Sequence, residues 1–202
     1  MYLKSEDLKT AVSTLSRICG VYVGEIALLN NISNRGYDLK DGKKSFGFIP
    51  YRYGIEDIYQ FIEVRRRFGN ISGGAQNQPK FLDIGCGIGN IVLLADSLGF
   101  VANGLEYDDK TYKIAKGHLQ PWSSTIFKGD MRKFNGYGEY DVLYYYQPMP
   151  DERDMNKFCS RLAKAMKPGA YVIPHGTLKV FRESEDFEHI ESIHVYRKKE
   201  KS

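Results

Sequence analysis

One ten-residue run constrains this chain more than any other: Phe81-Leu82-Asp83-Ile84-Gly85-Cys86-Gly87-Ile88-Gly89-Asn90. Its apolar start reads as a short buried strand. Ile91, Val92, Leu94, Ala95 and Leu98 then recur at helical spacing until Gly99 stops them. Between strand and helix lie three glycines at alternate positions. Glycine lets the backbone turn tightly and lets a ligand approach closely, while the helix N-terminus directs free N–H groups at that ligand. A dinucleotide fingerprint of the G-x-G-x-x-G form needs its third glycine at position 90, where this chain has Asn90. The spacing here is G-x-G-x-G, preceded two residues earlier by an acid.

The pattern repeats downstream. Strands are expected at residues 100–106, 125–128, 141–146 and 170–173, with helices over 109–119 and 152–166. Repeated βα units predict a parallel sheet with helices on both faces. The tail offers strand candidates at 178–181 and 190–197. Only 28 residues follow Pro174, so either a helix between the fifth and sixth strands is missing or very short, or residues 182–187 form a tight hairpin between the last two strands. Upstream, Leu8, Ala11, Val12, Leu15, Ile18 and Cys19 predict a helix. Residues 30–54 are irregular, with Tyr37, Phe46, Phe48, Tyr51 and Tyr53 interleaved. Ile55, Ile58, Tyr59, Ile62 and Phe68 predict a second helix ending at Gly69, and residues 70–79 are linker-like. The expected fold is α/β, a doubly wound, mostly parallel sheet with a short C-terminal antiparallel hairpin. Residues 1–78 are expected to form a helical and aromatic-loop cover, with the ligand-binding domain at 79–202.

Four features then follow in order, each at the C-terminal end of its strand: the glycine turn, Glu106 closing the second strand, Gly129-Asp130 after the third, and the end of the strand at 141–146. Lys167-Pro168-Gly169-Ala170 precedes the fifth. Together, over residues 79–174, they resemble the class I S-adenosylmethionine-dependent methyltransferases, and loosely the Rossmann-type lysine methyltransferases through Gly89-Asn90-Ile91-Val92 and Gly104-Leu105-Glu106. The resemblance implies S-adenosylmethionine as cofactor. Asp83, Gly85, Cys86, Gly87 and Gly89 would form its loop, and Glu106 would accept both ribose hydroxyl protons. Tyr107 would stand beside it, Asp130 would meet the adenine amino group, and Met131 would lie along the ring. Cys86 is read as a packing residue rather than a nucleophile, since nothing nearby activates it.

The acceptor is expected at Tyr146-Gln147-Pro148-Met149-Pro150-Asp151, facing the transferable methyl. Family members that act on amide or exocyclic nitrogen often carry Asn/Asp-Pro-Pro-aromatic there, and this chain departs from that. The Gln147 side-chain oxygen still suits an amine, Tyr146 lies nearest the strand end, and His175 is a candidate proton acceptor. The expected acceptor atom is nitrogen, on a protein side chain ahead of a nucleic-acid base, with a small metabolite third. The alternative is a non-catalytic S-adenosylmethionine-binding partner or sensor.

Composition excludes several other classes. The chain is 42% apolar and 27% charged, with net charge +4, which argues against wholesale disorder and against a dedicated nucleic-acid binder of extreme charge. No apolar run reaches the ~18–20 residues of a membrane span, and the acidic, polar start lacks a signal peptide's apolar stretch. Cys19, Cys86 and Cys159 form no disulfide framework, and His118, His189 and His194 show no metal-ligand spacing. The expectation is a cytoplasmic protein without a metal or membrane partner, its acceptor unidentified.

Overall fold

The computed structural model describes residues 55–69, 78–118, 126–149, 151–176, 178–190 and 193–200. The helix expected near the N-terminus, the aromatic segment to residue 54 and most of the linker lie outside the described residues. Helix α1 (Ile55–Arg66) is followed by β1 (Lys80–Ile84), α2 (Asn90–Ser97), β2 (Val101–Glu106), α3 (Asp109–His118) and β3 (Ile126–Lys128). A 3-10 turn (Gly136–Glu139) leads to β4 (Val142–Tyr146), α4 (Glu152–Ala165), β5 (Tyr171–His175), the short α5 (Lys179–Arg182), β6 (Phe187–Ile190) and β7 (Val195–Lys198).

The seven strands form one sheet in the order β3-β2-β1-β4-β5-β7-β6. The first five are parallel, β7 runs antiparallel to β5, and β6–β7 is an antiparallel hairpin. The central strands are buried on both faces: Phe81, Leu82 and Ile84, with Asp83, on β1 and Val142 to Tyr145 on β4. The chain winds outward from β1 to β3 and then returns beside β1 as β4, which opens a crevice at the strands' C-terminal ends.

Each face has its own core. On one, α1 lays Phe61 at 5.1 Å from the Phe81 ring and 5.4 Å, edge-on, from Tyr144. A phenylalanine buried this way resists truncation by about 3–5 kcal/mol. Tyr59, expected on that face, is instead exposed, and Phe61 and Val64 take the buried positions. On the other face, Met155, Phe158, Cys159 and Leu162 of α4 pack with Tyr145, Leu143 and Val172.

The tail departs from expectation at one element. Leu178 caps α5 and residues 179–181 lie in it rather than in a strand, so the helix expected between the fifth and sixth strands is present in very short form. The hairpin turn falls between Ile190 and Val195, not at 182–187. Phe181 decides this: it is buried edge-on against Phe187 at 5.2 Å and 6.1 Å from Tyr196, a position that the helical turn reaches beneath the sheet.

Candidate active site

Parallel pairing of β1 and β2 brings Ile84 beside Leu105, so the glycine turn opens at the end of β2. The turn is held there by two amides, Gly85 N–H and Cys86 N–H, which donate to the Leu105 carbonyl at 2.8 and 3.1 Å. Glu106 closes β2 and is 8% exposed. Its carboxylate accepts from Gly87 N–H at 2.9 Å and from Asp108 N–H at 2.7 Å, one bond per oxygen, which leaves lone pairs on both. Burial raises the Glu106 pKa against the downward pull of these amides. Asp83, at 3% exposure, is held well above the usual carboxylate range, first by burial and then by the charge of Glu106. Two buried acids beside a helix N-terminus suit a ligand that brings hydroxyl donors and positive charge.

Cys86 lies in this loop as expected, and its sulfur is a packing group. A Cβ on Gly104 would stand 2.6 Å from Cys86 Sγ, so the thiol fills the space that glycine leaves. Burial, then Asp83 and Glu106, push its pKa well up, opposite to what a nucleophilic thiolate needs.

Asp130 follows β3. Arg132, which sequence reasoning missed, clasps it: Nε donates to Oδ1 and Nη2 to Oδ2, each at 2.9 Å. That guanidinium holds the Asp130 pKa below its ordinary value. The Asp-x-Arg spacing was the available signal. Met131 packs partly buried on the second core, and its carbonyl accepts from Tyr137 Oη–H at 2.6 Å. Tyr107 is 59% exposed, with Lys128 Nζ 5.2 Å and the Arg132 guanidinium 5.9 Å from its ring centre.

At the acceptor edge the three tyrosines of β4 divide. Tyr144 and Tyr145 are buried, whereas Tyr146 at the strand end is 49% exposed. Tyr146 pairs in register with His175 on β5, their rings 5.6 Å apart. Gln147 has φ +30°, donates its N–H to the His175 carbonyl at 2.9 Å, and lies against Gly176, on which a Cβ would stand 3.2 Å from Gln147 Cβ. Thus Tyr146, Gln147 and His175 meet. The contact with Gly176, like the strained Gln147 backbone, was invisible in the sequence. This edge adjoins the glycine turn, since a Cβ on Gly85 would stand 2.9 Å from Pro148 Cβ. Asp130 and His175 stand at opposite ends, four strand spacings apart, or about 19 Å.

No described helix is long and apolar enough to cross a membrane. Among the described residues no three His, Cys, Asp or Glu side chains are grouped to hold a metal ion.

Comparison with known proteins agrees with this layout. Residues 82–173 match the family model described as a methyltransferase domain. A protein of Geobacillus sp. (strain WCH70), provisionally named a methyltransferase, is 23% identical over 115 residues, covering 53% of this chain and 47% of its own length. The chain thus spans about half the length of that curated relative. Among solved structures, an RNA methyltransferase from Salinibacter ruber in complex with S-adenosyl-L-homocysteine is similar with a TM-score of 0.51 and 18% identity. The likeness covers 75% of this chain and 96% of that one, and it shows the shared fold. These likenesses do not single out the lysine-methyltransferase subgroup. With its strand order, its glycine turn and its match over residues 82–173, the chain resembles the class I S-adenosylmethionine-dependent methyltransferases.

Proposed function

We propose that this protein transfers a methyl group from S-adenosylmethionine to a nitrogen acceptor at the C-terminal edge of its sheet. One observation carries the reading: the buried Glu106 carboxylate is fixed by an amide of the glycine turn, with lone pairs left for a vicinal diol. Asp83, Gly85, Cys86, Gly87 and Gly89 would line the turn around the cofactor. Tyr107 and Met131 would flank its base, and Asp130, its charge fixed by Arg132, would accept from the adenine amino group. The bound cofactor supplies a methyl on a sulfonium, so the leaving group is neutral.

What remains for the chain is alignment, exclusion of water and removal of a proton. Gln147 orients the acceptor N–H through its side-chain oxygen, Tyr146 covers it with an aromatic face that attracts cationic nitrogen, and His175 takes the proton. A side-chain amine of a protein meets these requirements, as does the amino group of a base. A small amine is the remaining case. Two buried cysteines outside any disulfide, Cys86 and Cys159, support a reducing, cytoplasmic setting.

Calorimetric titration with S-adenosylmethionine, S-adenosylhomocysteine and NAD at one salt concentration tests the reading. The first two should bind and NAD should not. Glu106→Ala should weaken binding by about 1–3 kcal/mol through loss of charge-assisted hydrogen bonds. Unchanged binding in a folded variant overturns the site. Tight binding without turnover on any acceptor selects the non-catalytic partner or sensor instead.

A further inference from the structure

Helix α4 carries Arg153, Lys157, Arg161 and Lys164. Spacings of four, four and three residues put these cations on one face, about 5–6 Å apart along the axis over roughly 16 Å. The opposite face is apolar, with Met155, Phe158, Cys159 and Leu162 buried. Arg153 stands in the first turn, where the helix dipole disfavours a cation and where Glu152 and Asp154 are the residues that favour the helix. Helix stability accounts for Lys164 in the last turn but not for Arg153. Among the described residues, Asp154 is the one carboxylate within ion-pair distance of it, on Lys157 at 3.2 Å. That pair is 78% and 55% exposed, too solvated to neutralise much.

Lys157, Arg161 and Lys164 of the stripe line a shallow groove of about 760 Å³ together with Asn156, Ser160 and Ala165, so neutral hydrogen-bonding groups alternate with the cations, and Arg153 stands one turn beyond it. The helix that carries it is tied to the candidate active site along the chain and through Arg161. Asp151 caps α4 by accepting from Asp154 N–H at 3.0 Å, only a few residues beyond Gln147. Arg161 donates to the Phe134 carbonyl at 2.9 Å and to Asn135 Oδ1 at 2.8 Å, fixing the turn that carries Asp130 and Arg132 against the helix.

We infer that this groove holds the sugar–phosphate backbone of a single-stranded nucleic acid and presents one of its bases to Tyr146 and Gln147. The inference rests on the transferase reading and selects among its acceptors. A strand with one anion per residue matches a regular row of cations, and neutral donors serve its phosphates and sugars. The half-exposed Tyr146, at the end of the strand that leads into α4, offers a stacking face. A single strand is required, because a base must leave its stack to reach a sheet edge.

The test uses fluorescence anisotropy with labelled RNA and DNA oligonucleotides of one sequence, across a salt series. The wild type is compared with Arg153→Gln/Lys157→Gln/Lys164→Gln, three residues outside the proposed catalytic and cofactor sets. The variant should bind about tenfold or more weakly at low salt, and the slope of log K against log salt should shrink by about 2, at ~0.7 per lost phosphate contact. Preference for RNA or for DNA names the sugar; equal binding of both supports backbone recognition. Unchanged oligonucleotide binding by the variant overturns the inference. Equal competition by a poly-glutamate peptide of matched charge also overturns it and moves the stripe to an acidic protein. Calorimetry with S-adenosylmethionine runs in parallel: loss of cofactor binding alone, with oligonucleotide binding intact, defeats the transferase reading and leaves the groove in place.

Discussion

Gln147 is the one non-glycine residue with positive φ among the described residues. A side chain held in that region costs on the order of 1–3 kcal/mol and persists where neighbours over-determine it. Here the neighbours are the His175 carbonyl and the close-packed Gly176. Replacing Gln147 by Gly removes the strain together with the amide. Thermal denaturation should show stability retained or raised by up to ~1 kcal/mol, whereas glycine at an ordinary position loses about that much. Turnover should fall in the same variant, once an acceptor is in hand. A loss of stability without loss of turnover would make Gln147 an ordinary turn residue. Tyr146 was legible in the sequence because alternation along a strand leaves the last residue at its mouth. The Gln147 backbone was not, because its partners arrive from a different strand.

At the scale of elements, α4 is anchored from outside itself. The last carbonyls of a helix lack internal partners, and Lys198 on β7 reaches them: Nζ donates to Ala163 O and Met166 O, each at 2.7 Å, and to Lys164 O at 3.3 Å. One ammonium thereby joins the C-terminal hairpin to the helix. Lys198→Met should destabilise the fold by about 1–3 kcal/mol in chemical denaturation, and Lys199→Met, with an exposed side chain, by much less. Equal effects would mean that the bonds contribute nothing beyond surface charge. The helices and strands from 80 to 175 were legible because period and punctuation agree: Asp151 caps α4 and Lys167-Pro168-Gly169 ends the segment after it. Residues 178–181 misled because apolar and polar residues alternate over a stretch whose conformation is set by Phe181 reaching the core. No local pattern carries that tertiary constraint.

Over the whole molecule, the two buried acids set a pH dependence. Asp83 and Glu106 have folded pKa values above their ordinary 3.8 and 4.5. Stability from these groups is therefore complete below the unfolded values and is lost as pH rises through the folded ones. Asp130 acts oppositely, since its pKa is lowered by Arg132 and its contribution is lost only in stronger acid. Asp83→Asn should accordingly raise the melting temperature near neutral pH, with the gain vanishing toward pH ~4. The same variant should bind S-adenosylmethionine more weakly, because the charge that destabilises the empty fold is the one that attracts a cation. A pH-independent difference would place the effect in packing. The parallel architecture was legible because each βα unit is a local pattern. The pairing of Asp83 with Glu106 became readable only once two strands lay side by side.

Two glycines of the site differ in how they can change over generations. A Cβ added at Gly104 would stand 2.6 Å from Cys86 Sγ and 2.8 Å from Ile126 Cδ1, so a larger residue there is open to rescue by smaller ones at 86 and 126. A Cβ added at Gly85 would stand 2.9 Å from Pro148 Cβ, and the residue also sits at φ +80°. Trimming Pro148 relieves the first obstacle and leaves the second. Position 104 is free to drift in company with its neighbours across descendants of this chain, while position 85 has no compensating lineage open to it.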